Sequence, residues 1–195
     1  MRASQSSRQS KAETSHTLLV FTFVAGLLLA HRDAAAIELG LPAKCVLGEE
    51  CFLQQYPDMD ATGGVADPIC SGQSYDGHKG TDLRILSMKD VERGIAAIAV
   101  EDGEILRVRD GEADRLVETR EDRNRISGKE CGNGLVMRLG EGYEVQYCHL
   151  QQGSLEVAAG DRVSKGDKLG NIGASGFAQF PQSLTEKELS EISQL

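Results

Sequence analysis

Two histidines and one aspartate are the residues of this sequence best suited to metal or acid–base chemistry. His78 lies in a glycine-flanked turn, DGHKGTD, and Asp82 follows four residues later. Zn²⁺ accepts imidazole nitrogen and carboxylate oxygen at about 2.0–2.2 Å, and two ligands from one turn can reach the same ion. His149 follows a strand-like run and could act as a general acid or base if the fold brought it to His78. Both patterns also have a plainer interpretation, because H-x-x-x-D is common in polar turns and a histidine after a strand is more often structural.

The order and spacing of these residues resemble those of a known peptidase family. HKGTD at 78–82 is similar to the H-x-G-x-D signature of the lysostaphin-like zinc endopeptidases, which cut peptidoglycan, and YCHL at 147–150 is similar to their Y-x-H-L element. The stretch VAAGDRVSKGDKLG at 157–170 and the GASG turn at 173–176 also match. The resemblance covers about residues 75–181. It implies a mainly β fold, an antiparallel β-sandwich of the duplicated-hybrid-motif type, with a groove that holds Zn²⁺ and a peptidoglycan peptide.

The resemblance also implies a role for each matching residue. His78 and Asp82 match two of the three zinc ligands of the family. His149 matches a histidine that orients the attacking water and stabilises the tetrahedral oxyanion. The metal would act as a Lewis acid and lower the pKa of its bound water toward about 7.

The sequence departs from the family pattern directly after Pro181. Family members place an H-x-H pair on a final core strand, where one histidine is the third zinc ligand and the other a catalytic base. This chain has Gln182 and Leu184 at those positions, and His78 and His149 are its only histidines after residue 36. Glutamine is a poor zinc ligand and leucine has no donor atom. We therefore expect Zn²⁺ to bind weakly or not at all, and endopeptidase activity to be impaired.

The last segment, QSLTEKELSEISQL at 182–195, changes from a β pattern to a polar, amphipathic one. SLTE at 183–186 has the form of a capping box, so we expect a short C-terminal helix or a frayed tail. Two interpretations follow: an endopeptidase whose C-terminus has been replaced, for example by a frameshift, or a non-catalytic relative that binds cell wall or activates another hydrolase. A biotinyl/lipoyl-like carrier is a third, because GD-x-V-x-KGD-x-LG suits that fold as well. The only Met-Lys step, Met88-Lys89, lies outside the exposed hairpin that a carrier modifies.

Short strands are expected to position the candidate residues. Residues 37–74 contain prolines and a Gly-Gly pair and predict loops, whereas the chain from residue 94 onward alternates strand-like runs with turn signals, as in a β-sandwich or barrel. Asp102-Gly103 predicts a two-residue hairpin. The charged stretch at 110–130 predicts a solvated insertion with one or two helical turns, or alternatively a loop that faces the substrate.

The first 36 residues predict a secretory signal peptide. Arg2, Arg8 and Lys11 form a basic region, residues 17–30 are apolar, and Ala34 to Ala36 supply the small residues that cleavage needs. The apolar run is shorter than the roughly 20 residues of a spanning helix, although an uncleaved anchor is the alternative. We expect a periplasmic or secreted bacterial protein with no stable membrane span after processing.

Charge and cysteine content narrow the class of protein. The net charge of −9 argues against a nucleic-acid binder, which would usually be basic. All five cysteines follow residue 36, so export would permit disulfides, and the odd count leaves one thiol unpaired within the chain. Cys131 and Cys148 flank two adjacent strand patterns and are the preferred pair, whereas the sequence does not decide the pairing of Cys45, Cys51 and Cys70.

Four regions are predicted: a signal peptide (1–36), a loop-rich segment (37–74), a peptidase-like domain (75–181) and a divergent tail (182–195).

Overall fold

Short β-strands make up most of the regular structure in residues 37–188, the part of the chain that the computed structural model describes. The expected signal peptide and residues 189–195 lie outside this part. Its regular elements are β1 (Cys51–Gln55), β2 (Gly80–Ile85), α1 (Met88–Arg93), β3 (Ala96–Ile98), β4 (Gly103–Arg109), α2 (Arg120–Arg125), β5 (Asn133–Arg138), a single 3₁₀ turn (Gly140–Gly142), β6 (Glu144–Leu150), β7 (Arg162–Val163), β8 (Lys168–Asn171) and β9 (Gln182–Glu188). Within this range no helix has the length and apolar character needed to cross a membrane.

The strands form two antiparallel sheets. The larger has seven strands in the order β1-β2-β9-β6-β5-β4-β7, and β3 pairs with β8 in the smaller. The expected fold class, mainly β with antiparallel sheets and few helices, is confirmed. Strand β4 pairs with β5 and β5 with β6, so the runs predicted from alternation lie next to each other in space as well as in sequence.

The C-terminal segment is a strand where the sequence predicted a helix or a frayed tail. Residues 182–188 form β9, which pairs with β2 on one side and β6 on the other. A segment between two strands gains backbone hydrogen bonds on both of its edges, and this tertiary pairing outweighs the weak helical pattern of its side chains. The prediction of a short C-terminal helix is therefore wrong for residues 182–188, and the edge of β6 is covered.

Two further local predictions are wrong. β1 lies inside the segment predicted to be loop, and pairs with β2. The predicted hairpin at Asp102-Gly103 is absent, because β3 pairs with β8 whereas β4 pairs with β5 and β7. Gly103 is instead the first residue of β4, and a Cβ there would collide with the carbonyl oxygen of Arg138. That close approach, and not a turn, is what requires glycine.

The buried core is built on one face of the large sheet. Leu83 and Ile85 of β2 pack with a cluster of fully or nearly fully buried side chains: Ala43, Cys51, Val91, Ile95 and Ile172. The hydroxyl of Tyr147, a buried residue of β6, accepts the Val100 N–H at 2.9 Å and donates to the Ile98 carbonyl at 3.1 Å. Burial raises the pKa of the Tyr147 hydroxyl. These bonds connect β6 to the end of β3.

Two disulfides join loops to the sheet. Cys131 is bonded to Cys148, the pair favoured by the sequence, and Cys45 is bonded to Cys51 at the start of β1. Cys70 is the free, exposed cysteine of the described residues. The Cys131–Cys148 bond ties the end of the charged insertion to the residue that precedes His149.

Candidate active site

His78 is held in place by a loop from the segment that the sequence predicted to be loop-rich. Its N–H donates to the Tyr75 carbonyl at 3.0 Å, and its carbonyl accepts the Asp58 N–H at 2.6 Å. The Asp58 carboxylate in turn accepts the N–H of Gly77 at 3.0 Å. The Tyr75 ring lies 4.4 Å from the His78 ring, centroid to centroid. Backbone and ring contacts together therefore fix the turn that carries His78.

His78 and Asp82 are brought together as the spacing predicted. Nε2 of His78 lies 3.3 Å from Oδ1 of Asp82, and each residue is 4% exposed. Neither atom has a hydrogen-bond partner among the residues that the structure describes. Leaving a buried polar atom without a partner is unfavourable. Two such atoms facing each other form a place where a cation would be stabilised.

His149 is placed at the end of β6 with its ring orientation fixed. Its backbone is left-handed, with φ at 60°, and its N–H donates to the Cys131 carbonyl at 2.8 Å. Nδ1 lies 2.8 Å from the Ser175 carbonyl oxygen, which can only accept, so Nδ1 carries the hydrogen. Burial lowers the pKa of the imidazole, while the Ser175 carbonyl and the Asp82 charge oppose that shift. His149 is therefore neutral near pH 7, with its free lone pair on Nε2.

The turn at residues 173–176, which contains the Ser175 carbonyl that contacts His149, is hydrogen-bonded to the charged insertion. Ser175 Oγ accepts the Asn133 N–H at 2.9 Å and donates to the Leu150 carbonyl at 2.8 Å. The Asp114 carboxylate accepts the Ala174 N–H at 2.7 Å. The insertion also buries Val117 and Ile126, at 3% and 2% exposure. The expectation of a solvated insertion is thus wrong for these side chains, although its helix α2 was predicted.

Positions 182 and 184 of β9 lie on the same face of the sheet as Asp82 of β2. In the register of β9 with its neighbours, position 182 is opposite Arg84, and position 184 is opposite both Asp82 and Cys148. Directly opposed residues of antiparallel strands share a face of the sheet. The strand that the resemblance expects to carry two histidines is therefore in place, with Gln182 and Leu184 at the two positions.

A comparison with known protein families assigns this chain to one family. The family model of Peptidase family M23 matches residues 76–187, more than half of the chain, including the whole stretch from His78 to β9. The chain belongs to peptidase family M23. No curated protein sequence matches the chain.

Three solved structures are similar to this chain. A chain of the SpoIIIAH–SpoIIQ complex matches with a TM-score of 0.53 at 14% identity, over 79% of this chain and 94% of that one. Lysostaphin's catalytic domain from Staphylococcus simulans, an antimicrobial peptidase, matches at 0.45 and 16% identity, over 74% and 84% of the two chains. The catalytic domain of the prophage-encoded M23 protein EnpA from Enterococcus faecalis matches at 0.46 and 17%, over 70% and 78%.

The M23 family is zinc-dependent, but the residues of this chain supply an incomplete ligand set. His78 Nε2 and Asp82 Oδ1 are donors of the right kind. No group of three or more His, Cys, Asp or Glu side chains that could hold a metal ion occurs between residues 37 and 188. A catalytic zinc site takes three protein ligands and one water. The described residues therefore do not fit a stable zinc site.

The contacts of several residues that shape the site were not found from the sequence. Ser175 lies in the GASG turn that the resemblance includes, but no role was predicted for it, and Asp58 and Asp114 were not singled out. All three contact residues distant in sequence. Aspartate and serine are common in turns for local reasons, so their type alone gave no signal of these contacts. Only the three-dimensional fold brings Asp114, from the insertion, to the turn that follows β8.

Proposed function

We propose that residues 75–181, with β9, form a zinc-metalloendopeptidase-type domain that acts on the peptide cross-links of peptidoglycan and has impaired catalysis. The observation that carries this proposal is the buried His78–Asp82 pair, whose facing atoms lack other partners, on the scaffold of an M23 domain. In the proposed role these two residues and His149 keep the positions of a peptidase site. Peptides of the cell wall are the proposed ligands.

The proposed impairment follows from what stands opposite Asp82. The backbone register puts position 184 beside Asp82, where a third ligand would be needed, and the chain has leucine there. Gln182, two residues earlier, has a carboxamide that cannot serve as a base near neutral pH. The incomplete donor set would leave Zn²⁺ weakly held or absent. Loss of a general base alone typically slows a reaction by about 10²–10⁴-fold.

The residues that remain can still bind and orient a peptide. Neutral His149 presents Nε2 as an acceptor for a water or a peptide N–H, because the Ser175 carbonyl occupies the Nδ1 hydrogen. To stabilise an oxyanion the same ring would have to be protonated on both nitrogens, which its burial disfavours. The His149 ring is therefore better suited to accepting a hydrogen bond than to stabilising negative charge.

The test is digestion of purified peptidoglycan by three forms of the protein. The unmodified protein should release few or no muropeptides. The double variant Gln182→His/Leu184→His should bind Zn²⁺ and gain activity, because β9 already pairs both positions with the strand that carries Asp82. Adding His78→Ala or His149→Ala to this variant should abolish the gain. Release at an enzyme-like rate by the unmodified protein would show that the two histidines are not needed and that the site assignments are wrong.

A non-catalytic relative is the second candidate. A chain of the same fold belongs to the SpoIIIAH–SpoIIQ complex, so this fold also serves in protein assemblies. In this role the protein would bind cell wall, or activate another hydrolase, without cutting. Sedimentation with insoluble peptidoglycan separates the two candidates: a binder co-sediments before and after Gln182→His/Leu184→His, whereas a purely catalytic role predicts only transient association.

Export to the periplasm or outside the cell is part of the proposal. Two disulfides within residues 37–188 suit an oxidising compartment. If the predicted signal peptide is removed, the intact mass of the exported protein should correspond to a chain that begins at Ile37. A full-length, fully reduced protein recovered from the cytoplasm would contradict this part of the proposal.

A further inference from the structure

Arg84 lies beside the candidate site on the same strand as Asp82. The two residues are separated by one position of β2, so they share a face of the sheet and their Cα atoms are about 7 Å apart. Arg84 is half-buried, whereas Asp82 is almost fully buried. A partly exposed cation therefore lies next to the buried Asp82 on the same face of β2.

The cross-strand neighbours of Arg84 are neutral. Its register neighbours are Phe52 on β1 and Gln182 on β9, neither of which carries a charge. Its guanidinium carbon lies 5.4 Å from the centre of the Phe180 ring, which is 46% exposed. An aromatic ring attracts the cation through its face and leaves the N–H edges of the guanidinium for other partners.

No carboxylate of the described side chains lies within ion-pair distance of Arg84. The same structure pairs several other arginines with carboxylates: Arg93, Arg115, Arg125, Arg138 and Arg162. In an acidic protein of net charge −9, Arg84 thus has an aromatic ring and neutral cross-strand neighbours where these five arginines have a carboxylate. An arginine in this arrangement can bind an anion from outside the chain.

We propose that Arg84, supported by Phe180, binds a carboxylate of the bound peptide, so that the preferred ligands of this site are acidic peptides. This inference rests on the proposed function, since it assumes that a peptide lies across the His78–Asp82 pair. A guanidinium binds a carboxylate through two parallel N–H donors, which fixes the direction of the ligand as well as its charge. Arg84 is a binding residue in this proposal and takes no part in bond breaking.

The spacing on β2 sets the register of the bound peptide. An extended chain advances about 3.3 Å per residue, so the distance from Arg84 to Asp82 corresponds to about two residues of ligand. The anchored carboxylate would thus lie about two residues from the peptide bond nearest the His78–Asp82 pair. The carboxylate could belong to a side chain or to the C-terminus of the peptide, and these two sources can be separated by experiment.

The experiment measures the Kd of a synthetic stem-type pentapeptide by calorimetry, with its side-chain carboxylate or its C-terminus amidated in separate versions. Hydrogen bonds to charged groups contribute about 1.5–3 kcal/mol, so Arg84→Gln should weaken binding of the free-acid peptide about 10- to 100-fold. Arg84→Lys should be intermediate, because a lysine cannot form the two-pronged contact. Arg123→Gln is the matched control: Arg123 is stacked 5.6 Å from the Phe177 ring but lies on α2. It should leave the Kd unchanged.

The outcomes separate this inference from the proposed function. Amidation of the bound carboxylate should reproduce the Arg84→Gln effect in the unmodified protein and have little further effect in the variant. The version that loses affinity identifies the source of the carboxylate, and this arm decides even if Arg84→Gln folds poorly. Equal affinity for all peptide versions would overturn the inference and leave the proposed function standing. Failure of every peptide to bind the unmodified protein at millimolar concentration would overturn both.

Discussion

Strands β6 and β9 lie side by side in the sheet, yet their side chains suit it very differently. On the face toward the core, β6 presents Val145 and Tyr147, both fully buried. On the same face β9 presents Ser183 opposite Leu83, and Thr185 opposite Tyr147. The hydroxyl oxygens of Ser183 and Thr185 are buried and find no hydrogen-bond partner in the described part of the chain.

Polar residues line both faces of β9. Leu184, its one apolar residue between 182 and 186, is opposite Asp82, whereas Ser183 and Thr185 fall on the core face. A slip of one residue would exchange the two sets, because side chains alternate with a period of two, and would bring Gln182 and Glu186 to the core face together with Leu184. Neither register gives β9 an apolar core face, so backbone pairing on both edges determines its place. β6 owes its place to both backbone and side chains.

The largest expected effect is the loss of stability when the disulfide that anchors β6 is removed. Removing the Cys131–Cys148 disulfide with Cys131→Ala/Cys148→Ala should lower the free energy of unfolding by about 3 kcal/mol, because the bond closes a loop of 17 residues. Cys45→Ala/Cys51→Ala, which opens a loop of 6 residues, should cost less, about 2 kcal/mol. Urea unfolding measures both. Equal losses, or a smaller loss for the long loop, would contradict the loop-closure argument.

The next effect concerns the core contact of β6. Tyr147→Phe removes the acceptor of the buried Val100 N–H and the donor to the Ile98 carbonyl. Leaving such a group without a partner typically costs about 1–3 kcal/mol. Urea unfolding should therefore show that the free energy of unfolding of Tyr147→Phe is lower by about this amount. A stability equal to that of the unmodified protein would mean that these bonds contribute nothing net.

The Tyr147→Phe variant should also change how the stability of the protein depends on alkaline pH. Burial raises the pKa of Tyr147 above its ordinary value of 10.0, so the folded state keeps the proton that the unfolded state loses. Stability from this group is complete below pH 10 and falls as the pH rises further, since the unfolded state then binds fewer protons. Tyr147→Phe should therefore lose less stability than the unmodified protein between pH 10 and 11. Parallel unfolding curves over that range would rule out this titration.

The contrast between the strands also explains what could be read from the sequence. Strands β4, β5 and β6 were predictable because their own residues alternate or run apolar. The closeness of His78 and Asp82 was predictable because the two residues are only four positions apart in the sequence. β9 was not, because no local pattern marks a segment whose place is decided by the free edges of β2 and β6.

The contacts that orient His149 were beyond sequence reasoning for a similar reason. The Ser175 carbonyl that binds its ring is 26 positions away, and the Asp114 carboxylate that steadies the turn is 60 positions from Ala174. Every residue has a backbone carbonyl, so residue types cannot show which carbonyl will accept a hydrogen bond.

The hairpin predicted at Asp102-Gly103 was wrong for a different reason. The dipeptide has the right composition for a turn, but the glycine is required for close packing against Arg138.

A smaller effect, of opposite sign, is expected in β9. Ser183→Ala and Thr185→Val each remove a buried hydroxyl without creating a large cavity. Since the hydroxyls lack partners in the described residues, each change should stabilise the protein by about 1 kcal/mol, as measured by the urea midpoint. Tyr147→Phe is the control, because it removes a hydroxyl that is hydrogen-bonded. Destabilisation by both β9 changes would show that those hydroxyls have partners after all.

The smallest expected effect is that of metal on the unmodified protein. A ligand that binds only the folded state raises stability by RT ln(1 + [L]/Kd), so a weak site changes the melting temperature little at micromolar Zn²⁺. A full structural zinc site contributes about 10–16 kcal/mol in small peptides, but here His78 and Asp82 are the matched ligands, and water would have to fill the other positions. A chelator should thus hardly move the melting temperature of the unmodified protein. It should lower that of Gln182→His/Leu184→His, in which β9 offers one histidine opposite Asp82 and a second two residues away on the same face. One equivalent of zinc retained by the unmodified protein after dialysis against the chelator would mean that a further ligand completes the site.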